Sequence, residues 1–166
     1  MSYISKTLLK NENILLQEKP HWIIFSSVLS WIVLAIIFWF LSGLLGFSSI
    51  SIFSVDFPYI IELLFFVMAI FSFVMAYIIY ISSEYVITDK RVLMKTGLIN
   101  YHALELFYGK IESIYVNQTI GGRIFDYGTI VIRGTGGTGD HFSNVPKPHV
   151  FRRAVQQQME DMEKSK

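Results

Sequence analysis

A glycine-rich run near the C-terminal end is the most evident candidate for a chemical motif. Gly134-Thr135-Gly136-Gly137-Thr138-Gly139 matches G-x-G-x-x-G, the pattern whose backbone amides hold the diphosphate of a dinucleotide. That chemistry needs a strand directly before the glycines and a helix directly after them. The next residues, Asp140 to Val145, have the pattern of an extended segment. The sequence therefore predicts a flexible glycine loop and no bound cofactor.

Metal-ligating and nucleophilic residues are also few and scattered. Cys is absent, which excludes disulfides, Cys-based metal sites and thiol catalysis. No two histidines lie at helical i, i+4 spacing, and the carboxylates occur singly, so no acid–base pair can be named. The histidines are His21, His102, His141 and His149. We predict no catalytic residue, no metal site and no enzyme activity.

Basic residues are better candidates, and their chemistry is binding. Lys19 precedes a first apolar block, and Lys90 and Arg91 follow a second one. We predict that these three contact anionic lipid, where each basic residue contributes about 1 kcal/mol. Arginine is enriched at protein interfaces, so a second set is predicted to contact a protein partner. That set is Arg123, Arg133, Arg152 and Arg153. A net charge of +1 argues against binding to nucleic acid.

Two long apolar blocks must position these basic residues. A bilayer core about 30 Å thick needs about 20 apolar helical residues. Residues 22–45 and 59–82 satisfy this and are predicted to be transmembrane helices, joined by an external loop at residues 46–58. Lysine and arginine lie outside this hairpin and not in its loop, so both termini are predicted to be cytoplasmic, in a bacterial inner membrane. Glu62 is the one acid near a span; a position at the outer headgroups is favoured over a role in transport.

The remaining residues have the pattern of a small domain. Residues 1–21 form a cytoplasmic segment in which residues 14–17 are either a short strand added to the later domain or part of a partly ordered juxtamembrane piece. Residues 83–166 show short alternating runs and then an amphipathic helix from Pro148. Residues 84–88 and 91–96 predict a hairpin that turns at Asp89-Lys90, with its charged face towards water.

Three runs in this region resemble the bacterial PH domain family, also called the membrane-flanked domain. They are Glu84-Tyr85-Val86-Ile87-Thr88-Asp89-Lys90-Arg91-Val92, Lys110-Ile111-Glu112-Ser113-Ile114 and Gly121-Gly122-Arg123-Ile124-Phe125-Asp126-Tyr127-Gly128-Thr129-Ile130. The likeness covers residues 83–158, and two preceding spans are the arrangement many members show. It implies a PH-like antiparallel β-barrel or sandwich capped by a C-terminal α-helix, and it implies little about biochemical role. Phe107-Tyr108-Gly109 departs from the family where members often carry a proline-containing turn.

The predicted fold is therefore α+β: a two-helix transmembrane hairpin followed by a PH-like sheet domain. The favoured function is a membrane-anchored module that binds a protein partner or forms a homo-oligomer within a membrane assembly. The first alternative is a module that binds anionic lipid headgroups; the turn at Asp89-Lys90 is too short and too acidic to favour a dedicated inositide pocket. The second alternative is a small transporter or channel subunit that uses Glu62.

Overall fold

The structure is a computed structural model that describes residues 7–45, 51–52, 55–98, 102–137 and 139–164. The chain divides into two compact units. The helical unit is Ile24–Tyr77, and the sheet unit combines Met1–Ile23 with Ile78–Lys166. The sheet unit thus contains the chain on both sides of the helices.

Two apolar helices form the helical unit. A 3-10 turn at Trp22–Phe25 leads into α1 (Ser26–Leu45), and α2 spans Phe57–Ser82. Trp22–Leu45 and Pro58–Ser82 are long and apolar enough to cross a membrane, each with a mean hydropathy of 2.5. Ring contacts link the helices in antiparallel order, with Phe25 near Phe73 and Trp31 near Phe65.

The predicted external loop falls only partly within the described residues. Backbone pairing joins two short strands, β2 (Ser51–Ile52) and β3 (Val55–Asp56), while residues 46–50 and 53–54 lie outside the described part of the chain. The last two residues of the predicted loop, 57 and 58, belong to α2.

The first sheet of the sheet unit has the antiparallel order β1-β4-β5-β6. Its strands are β1 (Ile14–Glu18), β4 (Glu84–Thr88), β5 (Arg91–Thr96) and β6 (His102–Phe107). The predicted hairpin is confirmed, since β4 and β5 pair on either side of Asp89-Lys90. β1 pairs with β4, with Glu18 opposite Tyr85. β1, which precedes the first helix, is therefore an edge strand of this sheet. Of the two alternatives left by the sequence, the structure shows the short strand added to the later domain.

The second sheet has the antiparallel order β7-β8-β9. β7 (Ile111–Asn117) is followed by a short helix, α3 (Ile120–Phe125), then β8 (Tyr127–Gly134) and β9 (Gly139–Pro146). The glycine-rich run joins β8 to β9, and Gly137 adopts a φ of 78°, which a residue without a Cβ tolerates best. A strand and not a helix follows the run, so the predicted glycine loop is confirmed.

The C-terminal helix α4 (Pro148–Lys164) completes one core shared by the two sheets. Phe151 and Val155 from α4 are buried against residues of both sheets, among them Tyr85, Ile130 and Phe142. The predicted α+β class and the C-terminal helix are confirmed. In the described part of the sheet unit the strands form two separate sheets, so the sandwich form of the prediction holds and a closed barrel does not.

The prediction that the charged face of the β4–β5 hairpin is exposed to water is wrong. All five residues of β4 and the first four of β5 are buried. Val86 and Leu93 pack against Leu8, and Arg91 is enclosed by the segment that precedes β1. The charge alternation in β5 resembled an exposed face because the covering residues lie some 80 positions earlier in the chain.

Candidate functional site

The best-defined polar site in the sheet unit is a buried ionic cluster, which we call the Arg91 cluster; it consists of Glu12, Thr88, Arg91 and Glu105. The Arg91 side chain is only 6% exposed. Its Nε and Nη2 donate to the two carboxylate oxygens of Glu12 at 2.9 and 3.0 Å, and its Nη1 donates to Glu105 at 2.8 Å. This two-point contact is the strongest geometry available to an arginine and a carboxylate.

Backbone and hydroxyl groups complete the Arg91 cluster. Arg91 Nη2 also donates to the carbonyl oxygen of Thr7 at 2.7 Å, and the Leu9 amide donates to Glu12 at 2.7 Å. The Thr88 hydroxyl donates to Glu12 at 2.8 Å and accepts from the Arg91 amide at 3.0 Å. The cluster thus fastens the chain before the first helix to the hairpin after the second.

This environment sets the ionisation of Glu12. Burial by itself would raise the pKa of the carboxyl group, but the hydrogen bonds from Arg91, Leu9 and Thr88 and the charge of Arg91 outweigh it and lower the pKa to about 2. Glu12 is consequently ionised throughout the physiological range. The cluster is a permanent ion pair there and not a proton-transfer site.

The three predicted lipid contacts have different surroundings. Lys19 is exposed, with its Nζ 5.9 Å from the centre of the Tyr80 ring. Lys90 is half-buried, and its Nζ donates to the carbonyl oxygen of Lys10 at 3.3 Å. Arg91 is buried and engaged by Glu12 and Glu105, so its guanidinium does not face outward and it leaves the set of predicted lipid contacts. Contact of Lys19 and Lys90 with lipid stays a prediction.

The four arginines predicted to contact a partner lie on separate elements. Arg123 is exposed on α3, Arg133 is exposed on β8, and Arg153 is exposed on α4. Arg152 is half-buried on α4, and its Nε is buried without a hydrogen-bond partner in the described part of the chain. Contact of these arginines with a partner stays a prediction.

Sequence reasoning missed a polar cleft beside α3, where Arg123 lies. Its volume is about 410 Å³, and Arg123 contributes the cation among its lining residues. The other members are Val116, Asn117, Gln118, Thr119, Thr129 and His149. The Gln118 side chain holds the cleft in place because it donates to the carbonyl oxygens of Gly122 and Tyr127 and contacts His149 at 2.7 Å. No local pattern in the sequence signals this convergence.

Glu62 lines a cleft of about 540 Å³ in the helical unit, together with Ser42 and Tyr59. It also lines an adjacent apolar cleft of about 670 Å³. Ion coupling through a membrane normally depends on several ionisable groups that exchange the ion. Glu62 is the single acid in these linings, which gives little support to the transporter alternative.

His102 has a polar partner that the sequence does not suggest. His102 Nε2 lies 2.8 Å from the Asp140 carboxylate, and both groups are at least partly exposed. Asp140 directly precedes His141 in the sequence, yet its hydrogen-bond partner is His102 on β6. Within the described ranges, no group of three potential metal ligands comes together.

Comparison with known protein families gives one match. The profile described as "Bacterial PH domain" matches residues 23–159, which is most of the chain. The comparison with curated proteins and the comparison with solved structures gave no match. The matched range includes both apolar helices and ends within α4.

Proposed function

Because this chain belongs to the bacterial PH domain family, we propose that it is a membrane-anchored module that binds a protein partner or a second copy of itself at the bacterial inner membrane. The observation that carries this proposal is the way the chain enters and leaves the helices. Three residues separate β1 from the turn at Trp22, and Ser83 alone separates α2 from β4. Since β1 and β4 are paired, both ends of the helical hairpin lead into one sheet.

This connection explains how such a protein could work without a reaction of its own. With the two helices in the bilayer, the sheet unit is held within a few residues of the inner leaflet at two points. A partner that binds the sheet unit is then restricted to the membrane surface, which raises its effective concentration for other membrane components. Assembly of the partner with other membrane components would follow from this tethering of the sheet unit to the bilayer.

Exposed arginines supply candidate contacts for that partner. The guanidinium groups of Arg133 and Arg153 are on the surface, and a planar guanidinium pairs well with carboxylates and aromatic rings. Tyr115 on β7 and Phe107 on β6 are half-exposed aromatic residues, a type enriched in interface cores. These features favour an acidic or aromatic surface on the partner.

Binding of anionic lipid headgroups is the second candidate function. It is supported by exposed Lys19, three residues before the first candidate span, and it is weakened by the burial of Arg91. A test with a fragment that begins at Ser83 would mislead, because such a fragment lacks β1 and Glu12 and leaves Arg91 without its main partner. Lipid selectivity must be measured with the full chain.

Affinity capture of the full chain from detergent-solubilised membranes tests the favoured function. We expect one discrete protein, or a differently tagged second copy, to be recovered with the wild type. Reversing the charge in Arg133→Glu or Arg153→Glu should reduce that recovery about tenfold, which corresponds to about 1.4 kcal/mol of binding. Lys164→Glu makes the same charge change at the exposed end of α4 and should leave recovery unchanged.

Two other outcomes would contradict the assigned contacts or the proposed function itself. Recovery that is unaffected by both arginine changes would remove these residues from the interface. Recovery of no protein, combined with preference for one anionic lipid over another at equal surface charge, would favour the headgroup alternative.

A further inference from the structure

A group of apolar side chains on α3 has no cover in the described structure. Ile120 is 83% exposed, Ile124 is 72% exposed and Phe125 is 47% exposed. Ile120 and Ile124 are four positions apart, so they lie on the same face of the helix. We call Trp22, Ile120, Ile124 and Phe125 the α3 patch.

The α3 patch is continuous with the start of the first candidate span. The Trp22 ring meets the Phe125 ring edge to face, with centroids 5.7 Å apart, and it is itself 55% exposed. Trp22 is the first residue of the span Trp22–Leu45. Tryptophan at a span end favours the boundary between headgroups and hydrocarbon. The apolar surface of α3 therefore begins where the chain is predicted to enter lipid.

The position of Trp22 relative to α3 is fixed by its neighbour. The His21 amide donates to the carbonyl oxygen of Asn144 at 2.7 Å, and its ring stacks on Tyr127 at 5.4 Å. Burial lowers the pKa of His21, and the charge of Asp126 opposes that change only in part. A ring held in this way keeps Trp22, the next residue, beside α3.

The polar residues of α3 fit the same boundary. Arg123 lies between the two isoleucines in sequence, is exposed, and lines the cleft with Thr119, Thr129 and His149. Elements that lie in a membrane interface combine an apolar face with arginine or lysine that reaches the phosphates. The six residues of α3 supply both parts: the apolar side chains of the α3 patch that lie on this helix, and Arg123.

We propose that the α3 patch lies in the headgroup–hydrocarbon boundary of the bilayer that the first span enters, with Arg123 contacting lipid phosphate. The proposal rests on the membrane anchoring proposed above. It assigns Arg123 to lipid and leaves Arg133 and Arg153 for the protein partner. The sheet unit would then be held at the membrane by a third contact besides its two chain connections.

Site-directed spin labelling tests this proposal directly, because a chain without cysteine accepts one label at a chosen position. Ile124→Cys in the patch, Leu34→Cys in the middle of α1 and Gln157→Cys on the exposed side of α4 are compared in the full chain in vesicles that contain anionic lipid. We expect the ratio of oxygen to nickel-chelate accessibility at position 124 to exceed that at position 157 several-fold, and to lie below that at position 34.

The three positions separate the possible failures. A label at 124 as accessible to the nickel chelate as the label at 157, while 34 remains in lipid, would overturn the α3 proposal and leave the anchoring intact. A label at 124 shielded from both reagents would indicate a protein neighbour and would also overturn it. Nickel access at position 34 would contradict the anchoring itself. In a chain labelled at Phe125→Cys, the further changes Ile120→Ser and Ile124→Ser should abolish the contact of the label with lipid. All three side chains are at the surface, so the changes remove apolar area from the patch and not from the core.

Discussion

Arg91→Met should destabilise the sheet unit by about 3–5 kcal/mol, because it leaves a buried carboxylate without its partner. Glu12 would keep only the Leu9 amide and the Thr88 hydroxyl, which do not neutralise its charge. Hydrogen exchange of the β4 and β5 amides, measured in increasing urea on the full chain in detergent, reports this loss independently of the helices.

Two comparisons make that result specific. Lys90→Met removes the same charge one position earlier from a half-buried side chain and should cost less than about 1 kcal/mol. Glu12→Leu combined with Arg91→Met should recover most of the loss, since replacing a whole buried ion pair by apolar residues is often neutral. A cost for Arg91→Met no larger than that for Lys90→Met would contradict the role given to the Arg91 cluster.

Acid should destabilise the same sheet through Glu12. The pKa of Glu12 is lowered in the folded protein from 4.5 to about 2, so its ionised form favours folding. The contribution is complete above about pH 4.5 and is lost as the pH falls towards about 2. Its size is on the order of 3 kcal/mol. The β4 and β5 exchange experiment repeated along this pH range measures it.

Variants separate Glu12 from the other carboxylates. Glu12→Gln should flatten the pH dependence, while Glu112→Gln, which changes an exposed side chain on β7, should leave it as in the wild type. In Arg91→Met the hydrogen bonds and the charge that do most to lower the pKa of Glu12 are gone, so the loss of stability between about pH 4.5 and pH 2 should be smaller than in the wild type. Equal profiles for wild type and Glu12→Gln would show that Glu12 is not the titrating group.

The elements that the sequence predicted well are those decided by local pattern. α1 and α2 follow from the length of their apolar runs. The β4–β5 hairpin at Asp89-Lys90 and the amphipathic α4 follow from the period of their apolar residues. The glycine loop followed from the extended residues after it.

The elements that the sequence predicted poorly depend on residues far apart in the chain. Arg91 was predicted to be a lipid-contacting cation because its partner, Glu12, lies 79 positions earlier in the chain, before both helices. The cleft at Arg123 forms because His149 and Thr129 come from later elements. The α3 patch was missed for a different reason: a six-residue helix is too short to show a periodic apolar face.

The central claim is that the two apolar helices hold the sheet unit at the inner face of the membrane, and one labelling measurement tests it most directly. Full-length Gln157→Cys is reacted with a membrane-impermeant maleimide in inside-out and in right-side-out inner-membrane vesicles, and the alkaline-washed membrane fraction is then analysed. We expect label in the washed inside-out membranes and none in the right-side-out ones. Label in right-side-out vesicles, or protein released by the alkaline wash, would contradict the claim.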